Sequence, residues 1–281
     1  MMTTFKHPVP TTTAHQHRIR LFQPTRRPIF LKDVNVETAW GTLKITGKIG
    51  QAHADVLEAI MFCAEKKGQM EDGRIKLLVD PYRVQKKARQ SSRKQLTALL
   101  DELLAVVVHV NVSARQCKSK GHLIDHVTEA TTSAGVAIKR ANPLGGDRVL
   151  WRVEIGKVLT ELINSDIWVG YDPQVIAGLR HGISQAVARH VLTHSHQPRG
   201  GWVMDSIINA VSGCLSADKF RDRRRELRSD VGTMNKLGII IDGDRVRRVE
   251  QTPDIVEQTP GSVEQTPGVW SKPPVSAGFS G

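Results

Sequence analysis

Cysteine is scarce in this chain. Cys63, Cys117 and Cys214 are scattered, with none of the paired spacing that holds a metal. Three lone thiols argue against a disulfide framework and fit a reducing cytoplasm. No run of about 18 uninterrupted apolar residues occurs, the length a membrane span needs. The nearest, Leu96–Val112, is interrupted by Asp101, Glu102 and His109. The N-terminus lacks an apolar signal core. The expectation is a cytoplasmic protein with no membrane partner.

Catalytic groupings are also missing. Gly41-Thr-Leu-Lys-Ile-Thr-Gly47-Lys48-Ile49 imitates a phosphate loop, but five residues separate its glycines and Ile49 stands where a hydroxyl is required. A strand with a turn is the better reading. His190 and His194 lie four apart, yet Val191 occupies the place of the metalloprotease glutamate. Surface histidines at a helix end account for them and for His196. A nicking enzyme needs a tyrosine nucleophile; Tyr82 and Tyr171 are the only tyrosines, and neither sits near a metal cluster. No Ser/His/Asp grouping has supporting context. The chain is expected to be non-enzymatic and without a cofactor.

What is present is positive charge. The net charge is +12 and the pI about 9.9, which point to a polyanion partner. A hydrophobic share of 40% supports real cores, and 281 residues accommodate about two domains.

The most informative stretch is Gly201 to Val249. It predicts a helix over Val203–Val211, with Ile207, Ile208 and Val211 inward, stopped by Gly213. Ser216 suits an N-cap and Asp218 the positive first turn of a second helix. Phe220, Leu227, Val231 and Met234 share one face of it. Arg221, Arg225 and Arg228 then point the other way; Arg224 flanks the apolar strip, with Arg223 and Lys219 on the remaining flank. After Gly238, Ile239–Ile241 meets the hairpin signal Asp242-Gly243, and the return strand carries Arg245, Arg247 and Arg248. A cationic helix joined by a short turn to a supporting helix is the shape that enters a DNA major groove. Arginine's planar fork pairs with guanine or phosphate, and a basic hairpin would follow the backbone as a wing. The alternative is a solvated helix whose arginines pair with Asp218, Asp222 and Glu226. Those three acids offset only half of the six basic residues from Lys219 to Arg228.

Upstream, residues 1–29 read as a mobile basic tail. A strand is expected over Trp40–Ile49, a helix over Gln51–Lys67, a strand over Arg74–Val79, a helix from Pro81, and a Ser92-capped helix with Leu96, Leu99, Leu100, Leu103 and Leu104 inward. A strand over Val106–Val112 follows. This order resembles the C-terminal one. Between Pro81 and Gln95, Arg83, Lys86, Lys87, Arg89, Arg93 and Lys94 occur with no acid, a second DNA-facing candidate. Its alternative is a solubilising face beside a dimer seam. Residues 113–134 read as a polar, partly helical insertion. Strands over Gly135–Arg140 and Arg148–Ile155 flank the turn residues Asn142-Pro143 and Gly145-Gly146.

The end is a repeat: Val249-Glu-Gln-Thr-Pro recurs at Val256 and Val263. Proline in each copy forbids a continuous helix, so a disordered or extended tail is expected. Seven codons are 21 base pairs, about two turns of B-DNA. The heptapeptides are thus a candidate trace of protein-binding repeats in the gene itself; scattered synonymous codons among the copies would refute this.

From Ile167 to Val249 the chain resembles plasmid replication initiators of the TrfA type and the RepC initiators of broad-host-range plasmids. The resemblance rests on WVGYD, GLRHGISQAVARHVLTHSHQ, the helix after Trp202, and the basic helix with Arg221, Arg223, Arg224 and Arg228 at cationic positions. Phe220, Leu227, Val231 and Met234 take the buried positions, and Leu237-Gly238 precedes the wing. The N-terminal half is similar more loosely, through element order. The resemblance implies two tandem winged-helix domains that bind direct repeats (iterons) in the double-stranded DNA of a plasmid origin. It also implies origin opening, recruitment of host DnaA and the replicative helicase, and a monomer–dimer equilibrium that controls copy number. The expected fold class is α+β: a tail over 1–29, winged helices over 30–165 and 166–249, and a disordered tail over 250–281. The rival readings are a winged-helix transcriptional repressor and a rolling-circle nicking enzyme.

Overall fold

The computed structural model describes residues 11–112, 117–142, 145–165 and 168–249. Of the expected tails over 1–29 and 250–281, residues 1–10 and 250–281, with the heptapeptide repeat beyond Val249, lie outside the described residues.

The first described elements are β1 (Thr12–Thr13) and α1 (Ala14–Arg18), and both are buried. Ile19, Leu21 and Phe22 continue into the main core. Residues 11–22 therefore form a strap laid across the molecule and not a mobile tail. The mobile-tail expectation fails because these few apolar side chains are covered by partners far along the chain.

Next come β2 (Phe30–Thr38) and β3 (Gly41–Lys48), a hairpin. The phosphate-loop look-alike is thus a strand. The β2 register shifts between Leu31 and Val34, where Asp33 adopts a left-handed φ of 53°. Then follow α2 (Gln51–Phe62), β4 (Ala64–Gln69), β5 (Ile75–Val79), α3 (Pro81–Lys87), α4 (Arg93–Ala105), β6 (Val107–Val112), β7 (Cys117–His122), β8 (Ile124–Glu129), β9 (Lys139–Ala141), β10 (Asp147–Val149), β11 (Trp151–Ile155) and α5 (Lys157–Ser165).

Two expectations fail here for one reason. The helix predicted through Lys67 ends at Phe62, and Ala64–Gln69 pairs with β5. The partly helical insertion contains strands, with β7 pairing to β6 and β8 to β11. In both places partner strands override local preference.

The second unit runs β12 (Trp168–Val169), α6 (Pro173–Ala177), α7 (Gly182–Leu192), β13 (Trp202–Val203), α8 (Met204–Ser212), α9 (Ala217–Ser229), α10 (Val231–Lys236), β14 (Ile239–Asp242) and β15 (Arg245–Arg248). β12 pairs with β1, so the strap stitches the two units together. The single helix expected from Ala217 past Met234 is broken at Asp230. Its buried carboxylate leaves the helix pattern to accept the backbone N–H groups of Arg180 (3.1 Å) and His181 (3.0 Å).

The two units share one topology. Each has a leading helix (α2, α7), a strand (β5, β13), two helices around a turn (α3–α4, α8–α9), and two closing strands (β8 and β11, β14 and β15), joined through the β9–β10 hairpin in the first unit and by the Gly243 turn in the second. The sheet orders match: β5-β11-β8 in one and β13-β15-β14 in the other. In each the final strand lies between the first and second. Both units are winged helices, and the fold class is α+β. The N-terminal unit adds β4 to this sheet, and its inserted β6–β7 hairpin extends β2 and β3 into β2-β3-β6-β7.

The leading helices meet across the junction. Arg189 of α7 is fully buried there. It donates to Glu58 through Nε and Nη2 (both 2.8 Å), to Asp55 (2.7 Å) and to Gln51 (2.8 Å). Gln185 also reaches Asp55 (3.1 Å), and the Tyr171 hydroxyl donates to Glu58 (2.6 Å). His17 of the strap lies 3.2 Å from Glu58. Burial alone raises the Glu58 pKa, but Arg189 and His17 outweigh it and hold the carboxyl at about 2. For Asp55 burial prevails over Arg189, and its pKa is raised.

Candidate nucleic-acid interface

The α8–α9 pair is set by local chemistry. α8 buries Met204, Ile207, Ile208 and Val211 and ends at Gly213, whose φ of 75° suits glycine. Ser216 occupies the N-cap of α9 with extended backbone, though its side chain makes no cap bond. α9 buries Leu227 and half-buries Phe220 against the same core.

The outer face of α9 is cationic. Arg221 and Arg225 are the most extended into solvent, at 78% and 79% side-chain exposure. Lys219 is exposed beside them. The pairs weighed from sequence do form: Arg221–Asp218 (3.1 Å), Arg225–Asp222 (3.1 Å) and Arg223–Glu226 (2.8 Å). The first two lie in open solvent, where such pairs contribute about 0–1 kcal/mol, so they yield readily to phosphate or base.

Arg224 is engaged differently. It forks onto Asp205 of α8, with Nε donating at 2.6 Å and Nη2 to the second carboxylate oxygen. That hydrogen bonding lowers the Asp205 pKa and raises that of Arg224. The geometry makes Arg224 the clamp that fixes α9 on α8.

The wing is tied in as well. Arg228 reaches Asp244 in the β14–β15 turn (2.8 Å). Arg247 pairs with Asp242 (2.9 Å) and stays half-exposed. Arg245 is exposed and donates to the Gly201 carbonyl (3.4 Å). Arg248 is turned inward, donating to the carbonyls of His194 (2.7 Å) and Ser195 (3.1 Å).

In the N-terminal unit, Asp80 caps α3 through the Tyr82 N–H (2.9 Å), and Ser92 caps α4 through that of Gln95 (3.2 Å). Lys86, Arg93 and Lys94 are exposed. Arg93 lies over the Trp151 ring at 3.9 Å, and burial lowers its pKa. Lys87 and Arg89 belong to the junction: Lys87 pairs with Asp172 (2.6 Å), and the Arg89 guanidinium lies against Gly178.

One basic group escaped the sequence reading. The β9–β10 wing carries Lys139, Arg140 and Arg148. Arg148 donates to Asp80 (3.0 Å) and stacks on Tyr82 (4.9 Å), joining this wing to α3. The signal was available: turn residues 142–146 flanked by cations, the pattern that marked the other wing.

Of the three histidines expected at the surface, His196 is exposed, His194 is half-buried and His190 is not at the surface. His190 is buried and lies tilted against His194, ring centroids 4.4 Å apart, and His194 meets Trp202 and Trp40 edge-on. Burial pushes His190 down to about 3 and lowers His194 too, so both rings pack as neutral aromatics. Among the described residues, no group of three His, Cys, Asp or Glu side chains is placed to hold a metal. No described helix is long and apolar enough to cross a membrane.

No family model matches the chain, and no curated protein does. Among solved structures, domains 2 and 3 of RctB are similar, with a TM-score of 0.49 and 12% identity over 88% of this chain and 96% of that one. The winged-helix assignment rests on the sheet order that the two halves repeat.

Proposed function

We propose that this chain is a sequence-specific, non-enzymatic duplex-DNA-binding protein that initiates plasmid replication at directly repeated origin sites. The observation that carries the DNA reading is the solvent-facing arginine row of α9, set beside a basic wing. In this reading Arg221, Arg225 and Arg228 enter the groove of one half of a repeat, and Arg224 holds the helix in place. Arg245 and Arg247 contact phosphates. Lys86, Arg93 and Lys94, with the β9–β10 wing, grip the other half. Origin opening, recruitment of DnaA and helicase, and a dimer that restrains initiation extend the same reading from the family resemblance. A transcriptional repressor remains the second reading, since it would use the same surface.

Arg225→Ala is expected to relax base preference and cost about 1–3 kcal/mol of binding. Arg247→Ala should weaken all sequences alike and lower the salt slope by about one. Footprints of both variants across several salt concentrations check this; equal effects on specificity overturn the division of labour. Whether the gene with its flanking DNA maintains a plasmid separates initiator from repressor. Incubation with supercoiled plasmid and Mg²⁺ tests for nicking.

A further inference from the structure

The proposed DNA surface is split between two units, so its use depends on how firmly they are joined. Each DNA-facing helix packs on its own leading helix, α4 on α2 and α9 on α7. The leading helices are in turn held against each other through Arg189. The chain leaving the strap crosses between their first residues at Thr25.

Both leading helices begin on a glycine at this crossing. Gly50 is the N-cap of α2, and Gly182 is the first residue of α7. A Cβ at Gly182 would overlap the Thr25 Cα and carbonyl carbon, and one at Gly50 would overlap the Thr25 carbonyl oxygen. That oxygen accepts the Gln51 N–H at 2.9 Å. Backbone therefore meets backbone on both sides of one residue, with no side chain between them to give way. Arg26 adds a second tie. Its Nη1 donates to the carbonyls of Ala177 and Leu179 in the second unit (both 3.2 Å), and its Nη2 lies 3.9 Å from Asp55 of α2.

A separate contact joins α3 to α6. Lys87 pairs with Asp172, and Arg89, held at a left-handed φ of 50°, lays its guanidinium where a Cβ on Gly178 would sit. A non-glycine residue stays in that region only where its surroundings enforce it. Two units on one chain ordinarily move on each other. Here the crossing, the Arg189 network and the α3–α6 contact hold the units at three separate places. Close-packed elements of this kind transmit position without yielding.

We propose that Thr25 and Arg26, wedged against Gly182, make the chain a gauge of spacing, which selects repeats whose two halves stand at one separation and one rotation. They are positioning residues, acting through α4 and α9 and not by contact with DNA. The inference rests on the two-half reading of the DNA surface. Each base pair advances B-DNA by about 3.4 Å and turns it by roughly 35°. One extra base pair between the halves carries one of them out of register with a rigid pair of units, although every base they read is still present. A jointed pair would follow it.

The test starts from a duplex selected out of random sequence by the full chain, then lengthened or shortened by one base pair between its two protected halves. The wild type should bind both altered duplexes at least about tenfold more weakly. In Gly182→Ala and in Arg26→Ala that penalty should fall below about threefold. A purely structural loss would weaken all three duplexes alike and leave the ratio unchanged. Double electron–electron resonance adds a measurement free of DNA. Nitroxides go on Cys214, exposed in the α8–α9 turn, and on Ala98→Cys, exposed on α4, in a Cys117→Ser background. The wild type should give one narrow distance distribution and the two variants broader ones. Should Gly182→Ala fail to fold, Arg26→Ala carries the comparison. A broad wild-type distribution, or a wild-type ratio in the folded variants, overturns the gauge and leaves the DNA reading standing. A narrow distribution with no duplex selected, or with one half alone protected, overturns the two-half reading and the gauge with it.

Discussion

Arg189→Ala is expected to destabilise the protein by about 3–5 kcal/mol, because it strands two buried carboxylates without their cation. Asp55 and Glu58 are both buried, and Arg189 is the partner they share. Thermal unfolding should shift by on the order of 10 °C. The pH dependence distinguishes this from lost packing. In the wild type Glu58 sits at about 2, below its ordinary value of 4.5. Its stabilisation is full above the unfolded value and is lost as pH falls from there through about 2. Asp55, which burial raises, acts in the opposite direction and offsets part of that loss. Without Arg189 only His17 beside Glu58 and Arg26 beside Asp55 oppose burial, so both pKa values rise. The variant should then gain stability on acidification from neutral pH. Melting curves at pH 7, 5.5 and 4 decide it. A variant that loses stability between pH 7 and 5.5 would show that the carboxylates do not depend on Arg189.

Leu21→Ala should cost about 2–5 kcal/mol, as a fully buried leucine does when nothing refills its space. Deleting residues 1–22 should be worse, since Ile19, Leu21 and Phe22 each contribute about 1.5–3 kcal/mol by burial. The β1–β12 pairing and the His17–Glu58 contact go with them. The truncated chain is expected to be poorly folded or to melt far below the full one. Denaturant unfolding of Leu21→Ala, and solubility with circular dichroism of the truncation, check this. A truncation that melts like the full chain would mean the strap is a passenger.

The strap shows where sequence reading stopped. Ile19, Leu21 and Phe22 stand among arginine, histidine and threonine with no period that marks a helix or strand. Their burial comes from partners distant in sequence, and no local pattern encodes it. The same holds for Arg189, whose acids lie 131 and 134 residues away. By contrast, the spacing of Phe220 and Leu227, the stop at Gly213, the Asp242-Gly243 turn, and the caps at Asp80 and Ser92 are local signals. They placed the two helix–turn–helix units and one wing. Within the candidate site, side-chain direction around α9 was legible from its period, so the outward set of Arg221, Arg225 and Arg228 could be named. Engagement was not: Arg224 finds Asp205, Arg248 finds two carbonyls, and Lys87 finds Asp172, each through tertiary contact. The break at Asp230 was hidden because the apolar period continues through it, and only the N–H groups of Arg180 and His181 explain it.

The kink in β2 matters for how these molecules crowd. β2 is the outermost strand of β2-β3-β6-β7, and Phe30 at its start and Ile29 just before it are exposed. An open edge of that kind invites a neighbour's strand, and the outcome is aggregation. Lys32 and the left-handed Asp33 interrupt the edge after two residues, so a foreign strand loses register almost at once. Copies held at high local concentration therefore stand shoulder to shoulder without zipping into fibres.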